Sequence, residues 1–466
     1  MRPRLSPILI AIAVLAVLAA YVFFASNGTM AFRRVAWDQK FERPAEGYYA
    51  SLAEGFRRGQ LSMAHEADPR LKAAFDPYRA DVREQYHAPY LWDASFYRGR
   101  YYLYFTALPV VLFYLPFRVI AGAYPLDALA GVFFSAWAFI MATLTLRRAF
   151  LGRNLHLPLP LWILVIGLGN VIAFTLSFVR TYEVAILAAT AMSATWAYAL
   201  LRFIETQSAK HAMWMGLWLA LAVVARPNLI VLTLIVPFTI GLRNRRAWVA
   251  FIIPAILVAV LAGTYNYRRF GNVRQLGWTY QLTGQPMRNY RACSLCNVAE
   301  GLRAVNHAAN YIGLPPKIRT RFPFVEATLP QVDASISLPG NEPVVGILAV
   351  NPLVIAGNVL ALLLLPAWRT LDTTARAGLR LLAGAWLVLL SLSACWYVVA
   401  RYSLDFMLLM CIASAIAIEC GLAQLAAHGI SIRALRIGIV ALAVCSIVIA
   451  TLLGFEGPFG AFHGMR

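Results

Sequence analysis

The sequence is that of an all-α, polytopic membrane protein. Of its 466 residues, 61% are hydrophobic and only 13% are charged, a composition well outside that of water-soluble domains. Apolar runs of about 20 residues, enough to cross a bilayer as a helix, recur along most of the chain. The formal net charge of +20 is spread over many short segments between those runs. That is the pattern of cytoplasmic loops, not of a nucleic-acid-binding face, so the bilayer is the expected partner and nucleic acid is not.

The basic start Met1-Arg-Pro-Arg4 precedes an uncharged run from Leu5 to Ala25. This run is longer than the core of a signal peptide and no small-residue cleavage site follows, so it reads as an uncleaved first transmembrane helix. Further runs cover 126–146, 157–178, 182–203, 247–266, 343–366, 379–399, 402–425 and 435–454. The stretch 212–242 is interrupted by Arg226-Pro227-Asn228 and divides into two short helices. Eleven spans result.

The segment 107–122 is the ambiguous one. It would make a helix of about 24 Å against a hydrocarbon core of about 30 Å, and it contains Pro116 and Arg118. If it does not cross and the N-terminus is cytoplasmic, Arg147, Arg148, Arg153, Arg202, Lys210, Arg243, Arg245, Arg246, Arg369, Arg376, Arg380, Arg433 and Arg436 all face the cytoplasm. If it crosses, all of them face outward. The first arrangement obeys the positive-inside rule, so 107–122 reads as a re-entrant or interfacial helix. The chain then divides into a first transmembrane helix (1–25), a first extracytoplasmic loop (26–125) with juxtamembrane helices at about 46–58 and 107–122, and helices 2–7 (126–266). A second extracytoplasmic loop (267–342) and helices 8–11 with a C-terminal tail (343–466) complete it.

Chemistry-bearing residues concentrate in the first loop. Tyr49, Leu52, Ala53 and Phe56 follow i, i+3, i+4, i+7 spacing, which predicts a short amphipathic helix on the membrane surface, with Glu46 in its first turn. A carboxylate held at the water–lipid boundary suits a general base; an acid in a first turn also simply complements the helix dipole. Both readings stay open at this level. Residues 95–105 read as a hairpin turning at Arg98-Gly99. Tyr49, Trp92, Tyr102 and Tyr104 are rings placed to stack on a sugar or acceptor, and an interfacial aromatic belt is the alternative for each.

Arginines at the outer ends of the spans form the second concentration. Arg180, Arg226 and Arg401 map to the same leaflet, with Arg268 and Arg269 nearby, and a planar, permanently charged fork matches phosphate oxygens. Local ion pairs are the structural alternative: Arg401 with Asp405 at i, i+4 and Arg180 with Glu183 at i, i+3, leaving Arg226 without an explanation. Cys395, Cys411, Cys420 and Cys445 fall in apolar spans and read as packing residues. Cys293 and Cys296 in Cys-Ser-Leu-Cys allow a local disulfide, plain thiols or half a metal site, but no second pair completes such a site. No phosphate loop, Gly-x-Ser-x-Gly elbow or His-Glu-x-x-His is present, so nucleotide-driven, serine-hydrolase and zinc-protease readings have no support.

Several stretches carry a resemblance. Glu46-Gly-Tyr-Tyr-Ala50 through Gly59, Tyr104-Phe-Thr-Ala-Leu-Pro109, Gly216 through Pro227, and Arg401-Tyr402 resemble motifs of the GT-C superfamily of glycosyltransferases, in particular the bacterial aminoarabinose and mannosyl transferases. The resemblance covers the layout of most of the chain with short motifs. It implies a GT-C-like bundle in a bacterial inner membrane that moves a sugar from a polyprenyl-phosphate donor to an extracytoplasmic acceptor. It also implies Glu46 as general base and Arg226, with Arg401 or Arg268, on the departing phosphate; Arg180 and Arg269 extend that set. The sequence departs from the pattern where Ala45 precedes Glu46, which leaves a single acid there and makes Asp38 and Glu42 alternates. It departs again where Thr106-Ala-Leu-Pro109 replaces Lys-Pro-Pro. Some members of the superfamily need a divalent metal; no ligand cluster is apparent here, so no metal ligand or cofactor is assigned. A transporter or flippase of a lipid-linked saccharide, or a non-catalytic envelope-assembly protein, would share the arginines without needing Glu46.

Overall fold

The computed structural model describes residues 7–41, 43–289, 305–330, 342–392, 395 and 397–458. The alternate base Glu42 and the pair Cys293 and Cys296 lie outside them. Of the described residues 66% are helical and 4% lie in strands, so the all-α class holds. Among the described residues seven helices are long and apolar enough to cross a membrane: Pro7–Ala25, Asp127–Ala149, Thr181–Thr206, Arg245–Phe270, Thr373–Ser391, Ala400–Ala427 and Arg433–Glu456. The other four expected spans are shorter or broken. The run 157–178 stops at Leu168 and resumes as Ile172–Leu176, because Asn170 turns its side chain onto the Ile166 carbonyl and the Ile172 N–H. The run 212–242 becomes Ala209–Ala225 and a 3-10 stretch Pro227–Ile235, divided at Arg226 as expected. The run 343–366 starts with one turn, Ile347–Val350, and continues as Leu353–Leu364.

Two helices form the centre. Nearly all of the apolar window of Thr181–Thr206 and of Ala400–Ala427 is buried, 94% in each. Both hold seven alanines, small residues that let apolar helices approach closely where no hydrophobic effect drives them together. Their neighbours use glycine for the same purpose. A Cβ on Gly357 would lie 2.3 Å from the Ser414 Cβ, and one on Gly378 2.6 Å from Ile416.

The bundle has a charged layer at each end. At one end Glu205 takes Arg148 and Arg202, and Arg153 pairs with Asp372. At the same end the Glu419 carboxylate, 4% exposed, accepts the N–H groups of His156 and Leu157 at 2.8 and 3.0 Å and the Trp162 indole at 2.9 Å. His156 and Leu157 lead into the Leu159–Leu168 helix and Trp162 lies within it, so Glu419 fastens the entry of that helix to the Leu404–Ala427 helix. Glu419→Ala strands two buried donors, those of Leu157 and Trp162, and the part-buried His156 N–H, and a loss on the order of 3 kcal/mol is expected. A thermal unfolding midpoint in detergent equal to that of the unmodified protein would refute this fastening role.

The first loop is tied across its base by pairing of Arg34–Val35 with Tyr124–Pro125. Its amphipathic helix runs over Tyr48–Arg57, but with a correction: residues Tyr48 to Gly55 are all buried, so it packs under the loop and does not float on the membrane surface. The hairpin forms as Ser95–Tyr97 and Arg100–Tyr102 around Arg98-Gly99, both at positive φ as a type I′ turn requires. The segment 107–122 is the short helix Val110–Ala121, about 18 Å long, closed by Gly122 at φ 70°. Val119 and Ile120 leave it 81% and 86% exposed, an apolar edge suited to lipid.

Candidate active site

The two long loops meet at Asp93. Its N–H donates to the Leu282 carbonyl at 2.9 Å, and the Leu282 N–H returns to the Ala94 carbonyl at 3.0 Å. The Ser95 hydroxyl adds a bond to Gly277 O at 2.9 Å. This short antiparallel pairing forces Asp93 to φ 63°, a left-handed conformation that costs a non-glycine residue about 1–2 kcal/mol.

The Asp93 carboxylate faces the bundle. Oδ2 accepts the Tyr182 hydroxyl at 2.6 Å and the Tyr104 hydroxyl at 3.4 Å; Oδ1 accepts Gln281 Nε2 at 2.7 Å. Burial pushes the carboxyl up to about 6, against the pull of the two hydroxyls and of the nearby Arg401 and Arg180 guanidinium groups. The hydroxyl of Tyr48, first residue of the amphipathic helix, donates to the Trp92 carbonyl at 2.7 Å and so joins that helix to the Asp93 corner.

Beneath Asp93 lies a stack of guanidinium groups and rings. Arg180 is 4.8 Å from the Phe178 centroid and 4.9 Å from that of Tyr182. Arg401 is 5.4 Å from Tyr182 and 5.8 Å from Tyr402, and Arg226 is 4.4 Å from Tyr402. Arg43 adds itself to Phe178 at 4.5 Å. Rings shared by two cations hold those cations in register.

Three expected phosphate-binding arginines are therefore together, but all three are paired. Arg226 makes bonds of 3.1 and 2.8 Å to Asp405 Oδ2, which also takes Asn228. Arg180 pairs with Glu183 as the i, i+3 reading expects, and also with Glu342 of the second loop. Arg401 does not take Asp405. It bridges Glu183 and Glu342 instead, because the 3-10 turn Ala400–Ser403 breaks the i, i+4 geometry and releases Asp405 to Arg226.

The remaining expected residues scatter. Arg268 is exposed. Arg269 is buried under the hairpin, where it donates to Leu103 O at 2.6 Å and Asn266 at 2.7 Å, so it braces the arm that carries Tyr104 and takes no place in the stack. Tyr102 sits with it, edge-on to Phe270. Tyr49 is fully buried against Tyr114, a core ring with no access to a sugar; its neighbour Tyr48 reaches the site because adjacent helical residues point about 100° apart. Trp92 stays 41% exposed beside Asp93. Asp38 is exposed and acts electrostatically on His65, with no contact to Asp93.

Glu46 precedes the helix and is not in its first turn. The helix begins at Tyr48 with Gly47 as N-cap at φ 75°, and Ala45 is also left-handed at φ 60°. Two outside bonds set this corner: Gly47 N–H to Asp127 Oδ2 at 2.8 Å, and Thr181 N–H to Ala45 O at 3.1 Å. The helix-dipole reading of Glu46 thereby loses its geometry. A partly buried carboxylate flanked by two left-handed residues, beside the Arg180 end of the bundle, is the arrangement found instead.

Sequence reasoning missed Asp93, Tyr182, Gln281 and Glu342. Their meeting depends on contacts across 89 and 188 positions of the chain, invisible to local spacing. The one local signal was an acid, Asp93, set in an otherwise aromatic segment from Tyr90 to Tyr104. Among the described residues no group of three or more His, Cys, Asp or Glu side chains is arranged to hold a metal ion, so no step is assigned to one. Set against models of protein families and against curated proteins, the chain matches none.

Proposed function

We propose that the protein is a multi-pass glycosyltransferase with eleven membrane crossings, its Asp93 face extracytoplasmic in a bacterial inner membrane, and a polyprenyl-phosphate-linked sugar as donor. What carries this reading is a strained, partly buried carboxylate at the junction of both loops, directly above three arginines at the membrane edge. Asp93, whose carboxyl stands near the operating pH of a base, removes the proton of the acceptor hydroxyl. That oxygen then bonds to the anomeric carbon as the bond to the lipid phosphate breaks, with inversion. The proton resides on Asp93 and the negative charge on the phosphate.

Arg180 and Arg401 are the groups that meet that charge, in a site where preorganised cations count most. Glu342 currently bridges both, and its carboxylate stands for the anionic phosphate that would replace it. Tyr104, Tyr182 and Trp92 surround Asp93 with rings that suit a sugar. Glu46, two residues before Tyr48, is a further carboxylate beside the site, on the corner that Thr181 holds through Ala45.

The donor half of this reading is tested by extracting lipids from the protein purified in mild detergent and identifying them by mass spectrometry. A polyprenyl phosphate or its glycosylated form is expected, and is lost in Arg401→Ala. Recovery of ordinary phospholipids alone, after purification from cells that make the carrier, would refute it.

A further inference from the structure

A second concentration of aromatic and basic side chains lies at the opposite end of the bundle from Asp93. There the helices Asp127–Ala149, Thr181–Thr206 and Ala209–Ala225 border a half-open cavity of about 420 Å³, within the range of small-ligand sites. Three indoles form its walls. Trp214 and Trp218 stack at 6.2 Å, and Trp218 meets Trp137 edge-on at 5.9 Å. At its inner end the polar atoms are already used: the Trp137 N–H donates to Thr195 Oγ1 at 3.1 Å, and the Thr195 hydroxyl donates to the Ala191 carbonyl at 2.8 Å. The interior therefore suits an apolar occupant.

The mouth is the reverse. Arg202, Lys210 and His211 line it. Glu205, the nearby acid, is shared between Arg202 at 2.7 Å and Arg148 at 3.0 Å. Among the described residues Lys210 has no carboxylate within ion-pair distance, and it is exposed. One carboxylate among three permanent cations leaves the mouth positive.

Depth decides the class of occupant. Trp218 is nine residues into its helix, about 14 Å from the charged edge, close to half of a hydrocarbon core of about 30 Å. A cavity that is cationic at the bilayer surface and apolar for the depth of one leaflet has the shape and charge order of a single lipid. An aromatic belt lies against the interface and encloses no such void. Basic pockets between transmembrane helices favour anionic headgroups.

We propose that this cavity binds one anionic phospholipid from the leaflet opposite the Asp93 site, an acyl chain along Trp137, Trp214 and Trp218 and the headgroup phosphate on Lys210 and Arg202. The proposal stands apart from the glycosyl-transfer reading, since no residue is shared between the two sites.

Native mass spectrometry of the full chain in mild detergent tests it, with phosphatidylglycerol and phosphatidylcholine of identical chains added in equal amounts. Phosphatidylglycerol adducts are expected to exceed phosphatidylcholine adducts by about fivefold, the worth of one lysine near a lipid phosphate. Lys210→Gln, at an exposed and unpaired position, brings the two to parity. Trp214→Ala, which removes one wall, reduces adducts of both. Equal adducts on the unmodified protein overturn the proposal, as does an excess that survives both substitutions. Displacement of the phosphatidylglycerol by a polyprenyl phosphate at the same site also overturns it and makes the cavity a carrier site.

Discussion

Asp93→Asn is expected to lower sugar transfer by about 10²–10⁴-fold while leaving the protein folded and its lipid still bound. The amide keeps the shape and still accepts from Tyr182 but cannot take a proton. Glu46→Gln, made alongside, is expected to have a smaller effect, because Asp93 and not Glu46 bonds directly to Tyr104 and Tyr182. The reverse ranking would assign the base to Glu46. If neither change matters, carboxylate chemistry leaves the account and transport of a lipid-linked saccharide becomes the reading to test.

The pH profile gives an independent check. The Asp93 carboxyl stands at about 6, above the ordinary aspartate value of 3.8, chiefly because of burial. A raised acid ionises late, and a base works only when ionised. Transfer is therefore expected to rise with pH and to reach half its plateau near 6, with about a tenth of the base active one unit below. The linked stability runs the other way: the folded protein holds this proton more tightly than the unfolded chain, so stability from this group declines as pH rises from about 4 to 6. A transfer rate flat between pH 5 and 7 would remove Asp93 as the base.

Asp405→Ala is expected to destabilise the protein by about 3–5 kcal/mol, the cost of leaving a buried guanidinium without its counter-ion. The Asp405 side chain is fully buried and that of Arg226 is 13% exposed, so water cannot replace the lost carboxylate. The paired replacement Arg226→Met with Asp405→Leu removes both charges and should recover most of that loss in thermal unfolding. This also separates two roles for Arg226. If it only fastens the Pro227–Ile235 stretch to the Leu404–Ala427 helix, the double variant retains co-purifying polyprenyl phosphate. If it touches the phosphate, the double variant is stable and empty. A single Asp405→Ala variant as stable as the unmodified protein would show that the ion pair contributes nothing.

The long spans, the division at Arg226, the hairpin at Arg98-Gly99 and the short helix before Gly122 were legible from composition and local pattern. Each is decided by residues close in sequence: about 20 apolar side chains for a span, a cation followed by proline for a break, Gly at positive φ for a turn. The arginines at one end of the bundle were legible too, because a charge within an apolar run must lie near an end or in a protected interior. The bonds those arginines form were not. Asp405 has two candidate partners within reach of its helix end, and a single 3-10 turn at Ala400–Ser403 gives it to Arg226 and sends Arg401 to Glu183 and Glu342.

Glu46 shows the same limit at shorter range. The apolar spacing from Tyr49 to Phe56 sets a helix but not its first residue, and it is the Asp127 carboxylate, 80 positions away, that turns Gly47 out of the helix and leaves Glu46 on a strained corner. Asp93 is the extreme case: Gln281 and Leu282 reach it from the other loop and Tyr182 from a helix of the bundle. Sequence alone determined that this is an all-α membrane protein with its polar chemistry concentrated in the loops, because burial of apolar length is a local, additive property. Which carboxylate meets which arginine, tyrosine or loop was decided only by the tertiary structure, because ion pairs and hydrogen bonds depend on distances of a few ångströms between groups that the chain itself does not bring together.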